Sequence, residues 1–260
     1  MMKLYHYTTF QNFCSIWIQQ KLKFSEWTNC NDVYERDKVY NLTQQSREYN
    51  GIKFSVEVFR QFKKNVFEEV ERYKQVSFCL DYKDMRGYAS PMMWGHYARD
   101  YQRSGVCIEF DSLKIKSSST NAKIYKGKVS YKINLTATDI GGVNQEKADA
   151  AQTFVVKNRK QLFFQKHPHW KSENEYRYLS KNCDCLDVSD AITMVYVLNG
   201  DEITLESVKR IVMDTHKVSF LQVGGKSLGL NPMTTYDYDD LQETMRKLNS
   251  KDPQDVWAAK

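Results

Sequence analysis

The sequence predicts an α+β fold in which short aromatic strands alternate with amphipathic helices. Segments such as Lys3–Thr8 and residues 105–111 are short and rich in aromatic or β-branched residues, which is typical of strands. Between residues 56 and 74, apolar side chains recur at helical spacing with charged side chains between them. The 260 residues contain four prolines and no low-complexity linker, which favours one large domain with at most a small appendage.

Capping and turn residues predict the other elements. Thr8 or Thr9 can cap a first helix, and Ser90 followed by Pro91 marks the start of another. Further strands are predicted at residues 21–25, 75–80, 123–131, 192–198 and 208–213. Further helices are predicted at residues 147–166 and 237–249, and residues 251–260 are predicted to form a frayed tail.

Composition excludes several classes of protein. No apolar run approaches the roughly 20 residues that span a bilayer, and the N-terminus lacks the apolar core of a signal peptide. The six cysteines are scattered, mostly within apolar segments, so we expect reduced thiols, a cytoplasmic location and no membrane partner. Cys183 and Cys185 are too close together in the sequence to bind a metal ion without a second pair of ligands, so no metal is expected. The formal net charge of +6 permits a polyanionic substrate.

The stretch from Trp170 to Leu179 carries the strongest chemical signal. Its second half alternates with period two, which predicts a strand with Glu173, Glu175 and Arg177 on one face. Two carboxylates and a guanidinium on one face indicate a polar cleft. Arg177 would neutralise one carboxylate there and leave the other for a positive charge on a ligand. The alternative is the solvated face of an edge strand.

A second candidate lies on the helix that starts at Pro91. Trp94 and Tyr97 fall at helical spacing, and His96 projects from another side. Large aromatics near a helix start offer stacking surface to a ligand with an aromatic ring and phosphates. The alternative is that these rings are core residues.

Four motifs in order resemble a bacterial family long known only as a domain of unknown function. They are Leu4-Tyr5-His6-Tyr7-Thr8, Asn31-Asp32-Val33-Tyr34-Glu35, Met93-Trp94-Gly95-His96-Tyr97-Ala98, and Trp170 followed by Glu173-Asn174-Glu175-Tyr176-Arg177. That family is similar to a divergent branch of the ADP-ribosyltransferase superfamily. The resemblance covers roughly the first 180 residues.

The resemblance implies a split, mixed β-sheet with surrounding helices and with the co-substrate NAD in the cleft between its halves. It implies a catalytic domain at residues 1–185, an α/β extension at 186–250 packed on that domain, and a tail at 251–260. In this picture His6 bonds the ribose of the adenosine half, while Tyr7 and Thr8 clamp the nicotinamide carboxamide. Glu175 bonds the 2′-hydroxyl of the nicotinamide ribose, and Glu173 orients or deprotonates the acceptor.

The resemblance also implies further residues around NAD. An aromatic ring stacks on nicotinamide in the superfamily, and Tyr34, Trp94 and Tyr97 are the candidates here. His96 and Arg177 belong to the family's own pattern and are included among the NAD-contacting candidates.

The implied reaction is glycosyl transfer. Cleavage of the bond to nicotinamide creates an oxocarbenium-like centre, which a carboxylate stabilises mainly in the transition state. The implied role is a toxin or anti-phage effector, with an antitoxin or inhibitor protein as its partner. The excess of basic over acidic residues and the many aromatic residues favour single-stranded RNA or DNA over protein as the acceptor.

Three alternatives stay open from the sequence. One is a transferase that modifies protein, and another is a non-catalytic module that binds a nucleotide in the same cleft. The third is a nuclease that uses His6 and His96 as acid and base.

Overall fold

The computed structural model describes residues 2–36, 48–49, 52–53, 55–83, 85–98, 105–132, 147–198, 202–213, 217–223 and 230–234. Over these residues the protein is α+β, as the sequence predicts, with helices and mainly antiparallel sheets. The predicted helix at 237–249 and the tail at 251–260 lie outside the described residues. Within the described ranges, no helix is long and apolar enough to cross a bilayer.

The strands and helices are numbered in chain order. The strands are β1 Lys3–Thr8, β2 Lys21–Lys23, β3 Ser25–Glu26, β4 Glu48–Tyr49, β5 Ile52–Lys53, β6 Lys74–Cys79, β7 Val106–Asp111, β8 Lys116–Ser117, β9 Ile124–Lys128, β10 Ser130–Tyr131, β11 Gln165–Lys166, β12 Glu175–Ser180, β13 Cys185–Asp187, β14 Ile192–Leu198, β15 Val218–Val223 and β16 Leu230–Thr234. The α-helices are α1 Phe10–Gln19, α2 Val33–Arg36, α3 Val56–Glu71, α4 Pro91–Tyr97, α5 Ala150–Lys157, α6 Arg159–Phe163 and α7 Glu202–Val212. Turns of 3-10 helix lie at Trp27–Asn29, Gly87–Ala89 and Pro168–Glu173.

The chain divides into two compact units. Unit 1 comprises the described residues of Met1–Gln20, Asp81–Lys114 and Asp190–Lys260, and unit 2 comprises those of Lys21–Leu80 and Ile115–Ser189.

Unit 1 is built on a sheet with the strand order β16-β15-β14-β7-β1. The pair β14 and β15 is parallel, and the other neighbours are antiparallel. Every residue of β7 is buried, and strands lie on both of its sides. Helix α1 begins where the Thr9 side chain accepts a hydrogen bond from the Asn12 N–H, and it packs against α7.

Unit 2 contains an antiparallel sheet in the order β9-β12-β6, with β3 also paired to β6. Helices α3 and α5 pack together over a core that includes Trp27, Phe62, Val66, Phe154, Phe163 and Leu179. Smaller pairings join β2, β13 and β8, and the parallel pair β10 and β11 lies beside the start of β12. This arrangement places β12 between two neighbours within unit 2.

Several predicted elements are confirmed. Strands β1 and β14 occupy the predicted residues, α3 ends three residues earlier than expected, and Ser90 caps α4 with Pro91 as its first residue. Each of these segments has a strong local signal, either a regular spacing of apolar side chains or a capping residue. The tertiary packing favours the same secondary structure as that signal.

Three local predictions are wrong. Residues 147–166 form α5, α6 and β11 instead of one helix, because the buried Asn158 leaves the helical conformation and its amide donates to the Phe154 carbonyl. Residues 208–213 belong mostly to α7, whose buried Leu205, Val208 and Val212 form a helical stripe. The strand predicted at 21–25 is divided at Phe24 into β2 and β3.

Candidate functional site

A cluster of five buried charged side chains surrounds the start of β12 in unit 2. Its members, called here the buried charge cluster, are Glu35, Lys166, Glu173, Glu175 and Arg177. None is more than 7% exposed. Charges at this depth persist only when they are paired and hydrogen-bonded, so their contacts define what the site can do.

Arg177 is the centre of the cluster. Its Nε donates to Glu175 Oε1 at 2.7 Å, and its Nη1 donates to Glu35 Oε1 at 2.5 Å. The same Nη1 donates to the carbonyl of Phe163. The guanidinium, which is 0% exposed, therefore joins a strand, the short helix α2 and the end of α6.

Lys166 brings two carboxylates together. Its Nζ donates to Glu173 Oε2 at 2.6 Å and lies 2.9 Å from Glu175 Oε2. Ser77 on β6 donates to the other oxygen of Glu175, at 2.5 Å. Among the described residues, the Oε2 atom of Glu175 is in ionic contact with Lys166 and accepts no hydrogen bond.

Glu173 does not lie on the strand face, contrary to the prediction. It is the last residue of a 3-10 turn, and Asn174 then takes a left-handed conformation with φ of 44° before β12 starts at Glu175. The Asn174 amide donates to the carbonyl of Leu80, which secures this turn. The two carboxylates converge through the turn instead of through strand alternation.

Two expectations about the charges are also wrong. The edge-strand alternative fails, because β12 has β6 and β9 on its two sides and Arg177 is fully buried. The expectation that one carboxylate is left for a positive charge on a ligand fails as well, because Lys166 supplies that charge to both Glu173 and Glu175.

The electrostatics keep Glu175 ionised. Burial raises its pKa, but the Arg177 guanidinium and the Lys166 ammonium outweigh burial and hold the pKa well below its usual range. Burial likewise lowers the pKa of Lys166, but the carboxylates of Glu175 and Glu173 raise it above its usual range. Three carboxylates and two cations make the buried charge cluster formally anionic.

Tyr34 lies on α2 next to Glu35 and is 61% exposed. Its ring stacks on His167 with centroids 5.3 Å apart. Asp32 fixes this arrangement, because its carboxylate accepts hydrogen bonds from the backbone N–H groups of Tyr34 and His167. Among the aromatic candidates for stacking on nicotinamide, Tyr34 is the most exposed and lies in the same unit as Glu175.

The N-terminal candidates lie in unit 1. Tyr7 is buried, and its hydroxyl donates to the Gly87 carbonyl at 2.5 Å and accepts from the Ser90 N–H. Its ring meets Trp94 edge to face, with centroids 5.2 Å apart. The Trp94 N–H donates to the Tyr88 carbonyl, so Trp94 is a packed core aromatic with its donor satisfied.

The remaining candidates differ in exposure. Thr8 is buried, and His6 and Tyr97 are half-buried. His96 is exposed on α4, with its ring tilted against Tyr97. The meeting of His6 with Glu175 in one cleft stays a prediction.

Sequence reasoning missed four members of the site's surroundings. The sequence predicts Lys166 at the end of a helix and gives no signal for Ser77 or Tyr131. The Tyr131 hydroxyl accepts from the Glu175 N–H at 2.9 Å. Glu35 was noticed only as an acid in the Asn-Asp-x-x-Glu motif. Lys166 follows Phe163 and Phe164 closely and is followed by a turn that is rich in aromatic residues. A lysine in such surroundings is unusual, and this is the one clue to its role that the sequence offers.

Across the described ranges, no group of three or more His, Cys, Asp or Glu side chains is arranged to hold a metal ion.

Comparison with models of protein families gives a match over part of the chain. A family model described as Protein of unknown function (DUF2971) matches residues 93–178. The matched segment contains the motif of α4 and the motif that leads into β12. The searches of curated proteins and of solved structures found no match to this chain.

Proposed function

We propose that this protein is an NAD-dependent ADP-ribosyltransferase in which Glu175 is the catalytic carboxylate and a single-stranded nucleic acid is the acceptor. The observation that carries the proposal is the state of Glu175. It is held ionised by two cations, and its buried Oε2 has the Lys166 ammonium 2.9 Å away but accepts no hydrogen bond from the described residues. A ribose hydroxyl is a donor of the kind that this oxygen lacks.

The chemistry requires such a carboxylate. Departure of nicotinamide leaves positive charge on the ribose, and a carboxylate fixed beside it stabilises that charge in the transition state. Since its pKa is depressed, Glu175 keeps its charge throughout the physiological pH range. Arg177 and Ser77 bind Oε1 of the carboxylate, and Oε2, which lies 2.9 Å from the Lys166 ammonium, is the oxygen proposed to meet the sugar.

Glu173 is assigned the role of orienting the acceptor. Its Oε2 accepts from Lys166, the same ammonium that contacts Glu175, so the two carboxylates are held near one point. A second carboxylate at this position can receive the proton of an incoming hydroxyl or amine. Tyr34 is assigned to stack on nicotinamide, because its ring is exposed in the same unit.

The proposal includes an ADP-ribosyltransferase-like arrangement of the sheet. The late strand β12 carries Glu175 in unit 2, and the first strand β1 carries His6 in unit 1. The role as a toxin or anti-phage effector, held by an inhibitor protein, is proposed from the resemblance alone.

The test uses NAD labelled in its adenylate half. The purified protein is incubated with labelled NAD and total cellular nucleic acid and protein, and the products are digested separately with nuclease and with protease. The expected result is label that survives protease and is released by nuclease. Absence of label in any macromolecule under all conditions contradicts the proposal, and label released only by protease contradicts the choice of acceptor.

A second candidate is a non-catalytic module that binds a nucleotide. The observation that favours it is the closed state of the buried charge cluster, in which Glu175 is 2% exposed. This candidate predicts that NAD or another nucleotide raises the melting temperature without release of nicotinamide. Release of nicotinamide that depends on Glu175 excludes it.

A further inference from the structure

Unit 2 carries a second feature, a surface groove of about 560 Å³ beside β9 and α6. Its wall, called here the basic groove, includes Tyr125, Lys126, Lys128, Lys132, Arg159 and Lys160. Five of the eleven described residues that line it are cationic, and none of the eleven is acidic. A site for a small uncharged ligand is lined mainly by apolar side chains, so this lining indicates an anionic partner.

The charge of the groove is not balanced by its neighbours. Residues 125–132 and 159–165, which supply its walls, contain five Lys and Arg residues and no Asp or Glu. In the part of the chain that the structure describes, none of the five groove cations forms an ion pair with a carboxylate. The positive potential of the groove is therefore available to a ligand.

Arg159 and Tyr125 form a stacked pair at the groove. The guanidinium carbon of Arg159 lies 3.5 Å from the ring centroid of Tyr125, and Lys123 approaches the same ring at 5.3 Å. A guanidinium that stacks on a ring uses its face, so its N–H donors point outward in its plane, where they suit phosphate oxygens. Guanidinium planes of this kind also stack on unpaired bases.

Lys126 and Lys128 are two residues apart on β9, so they project from the same face. Two residues along a strand advance by about 6.6 Å, which is comparable with the spacing of neighbouring phosphates in an extended single strand. Both lysines are exposed. A row of cations at this spacing suits a repeating anion better than an isolated one.

The ordinary explanation for lysines on β9 is protection of a sheet edge, since charged side chains on an outer strand prevent pairing with another molecule. That explanation covers Lys126 and Lys128. It does not cover Arg159 and Lys160, which lie on α6 and line the same groove. The strand lysines leave β9 from the face opposite Tyr125, and the helix cations lie on the Tyr125 side, so cations line the groove from both sides of the strand, which favours a partner.

We propose that the basic groove binds the phosphate backbone of a single-stranded nucleic acid. This inference deepens the proposed function. It rests on that function only where it identifies the bound strand as the acceptor of the ADP-ribosyl group. Single strands are favoured over duplexes because the stacked Arg159 and Tyr125 pair offers a platform for an unpaired base.

The test measures binding of a fluorescent 20-nucleotide poly-U RNA to the full chain by anisotropy, without NAD, over a series of salt concentrations. The groove variant is Lys128→Gln with Lys160→Gln. The matched control is Arg60→Gln with Lys64→Gln, which removes the same charge from α3 in the same unit, where Glu57 and Glu68 neutralise it. Circular dichroism verifies that both variants are folded, and the single variant Lys160→Gln provides a second, milder change.

We expect the groove variant to bind about tenfold more weakly at low salt, and the slope of log affinity against log salt to fall by about 1.4. The control is expected to stay within about twofold of the wild type. Equal weakening by both double variants overturns the proposal, as does the absence of RNA binding by the wild type. Equally tight binding of duplex DNA, or of phosphatidylserine vesicles, with the same dependence on Lys128 and Lys160 also overturns it.

The two proposals fail separately. RNA binding that depends on the groove, without label transfer from NAD, contradicts the proposed transferase activity but not the proposed role of the groove. If the groove variant transfers as much label to nucleic acid as the wild type does, the proposed role of the groove is contradicted but the proposed transferase activity is not.

Discussion

The buried charge cluster and the basic groove lie in the same unit and use charged side chains in opposite ways. In the cluster, Arg177 and Lys166 lie within 2.9 Å of carboxylate oxygens and are almost completely buried. In the groove, Lys128 and Lys160 are exposed, and none of the described residues that line the wall is acidic. The comparison teaches that pairing and burial, and not residue type, decide whether a cation serves the fold or a partner.

The energetic consequences differ accordingly. Removing one partner of a buried ion pair costs about 3–5 kcal/mol, because the other charge stays in a medium of low polarity. Replacing an unpaired surface lysine changes the free energy of unfolding by about 0.5 kcal/mol or less. Substitutions in the two regions should therefore separate stability from binding.

The largest effect is expected for Arg177→Met. It leaves Glu35 and Glu175 without the guanidinium that joins them, so we expect the free energy of unfolding in urea at pH 7 to fall by about 3–5 kcal/mol. Lys160→Met is the control on the surface of the same unit. A loss below about 1 kcal/mol for Arg177→Met would mean that the cluster contributes little to the fold.

The next effect concerns acid pH. The pKa of Glu175 is depressed in the folded state, so its contribution to stability is present above its unfolded pKa of about 4.3 and is lost as the pH falls below that value. Below about pH 4 the wild type should lose about 1.4 kcal/mol per pH unit more than Glu175→Gln. Urea unfolding between pH 7 and 3 measures this, and parallel curves for the two proteins contradict it.

A smaller effect is expected at Cys30, whose thiol reports on the cluster. Burial and the Glu35 carboxylate raise the pKa of Cys30 to about 11. Glu35→Gln removes that carboxylate, so the pKa should fall and alkylation at pH 8 should become faster, by roughly two- to tenfold. Mass spectrometry measures the rate at this residue. Cys185, outside the cluster, is the internal control and should keep its rate.

The smallest effect is expected for the stability of the groove variant. Lys128→Gln with Lys160→Gln removes no ion pair with a described carboxylate, so its melting temperature should stay within a few degrees of the wild type. Thermal unfolding by circular dichroism measures this. A large loss of stability would show that these lysines serve the fold, and the comparison between the two regions would then fail.

Much of the fold could be predicted, because local signals and packing agree. Strand β1 has an aromatic-rich run, and α4 has Ser90 and Pro91 at its start. The predictions failed where one residue overrides a pattern. Asn158 interrupts an otherwise helical segment, and the left-handed Asn174 takes Glu173 off the strand.

The site was predictable only in part. Glu175 and Arg177 share a strand, so their proximity follows from the period of two. Lys166 and Glu35 reach them through tertiary packing, which no local pattern encodes. The acid-free segments that form the basic groove are visible in the sequence, but their convergence from a strand and a helix required the structure.

The most direct test of the central claim compares nicotinamide release from NAD by Glu175→Gln and Glu35→Gln in the presence of single-stranded RNA. Both variants remove one buried carboxylate that binds Arg177, so both disturb the same cluster. Rates are normalised to the folded fraction, which is measured by circular dichroism. The account predicts at least a hundredfold loss for Glu175→Gln, about the contribution of one well-placed electrostatic group, and less than tenfold for Glu35→Gln. Equal rates for the two variants, or no release by the wild type, would contradict it.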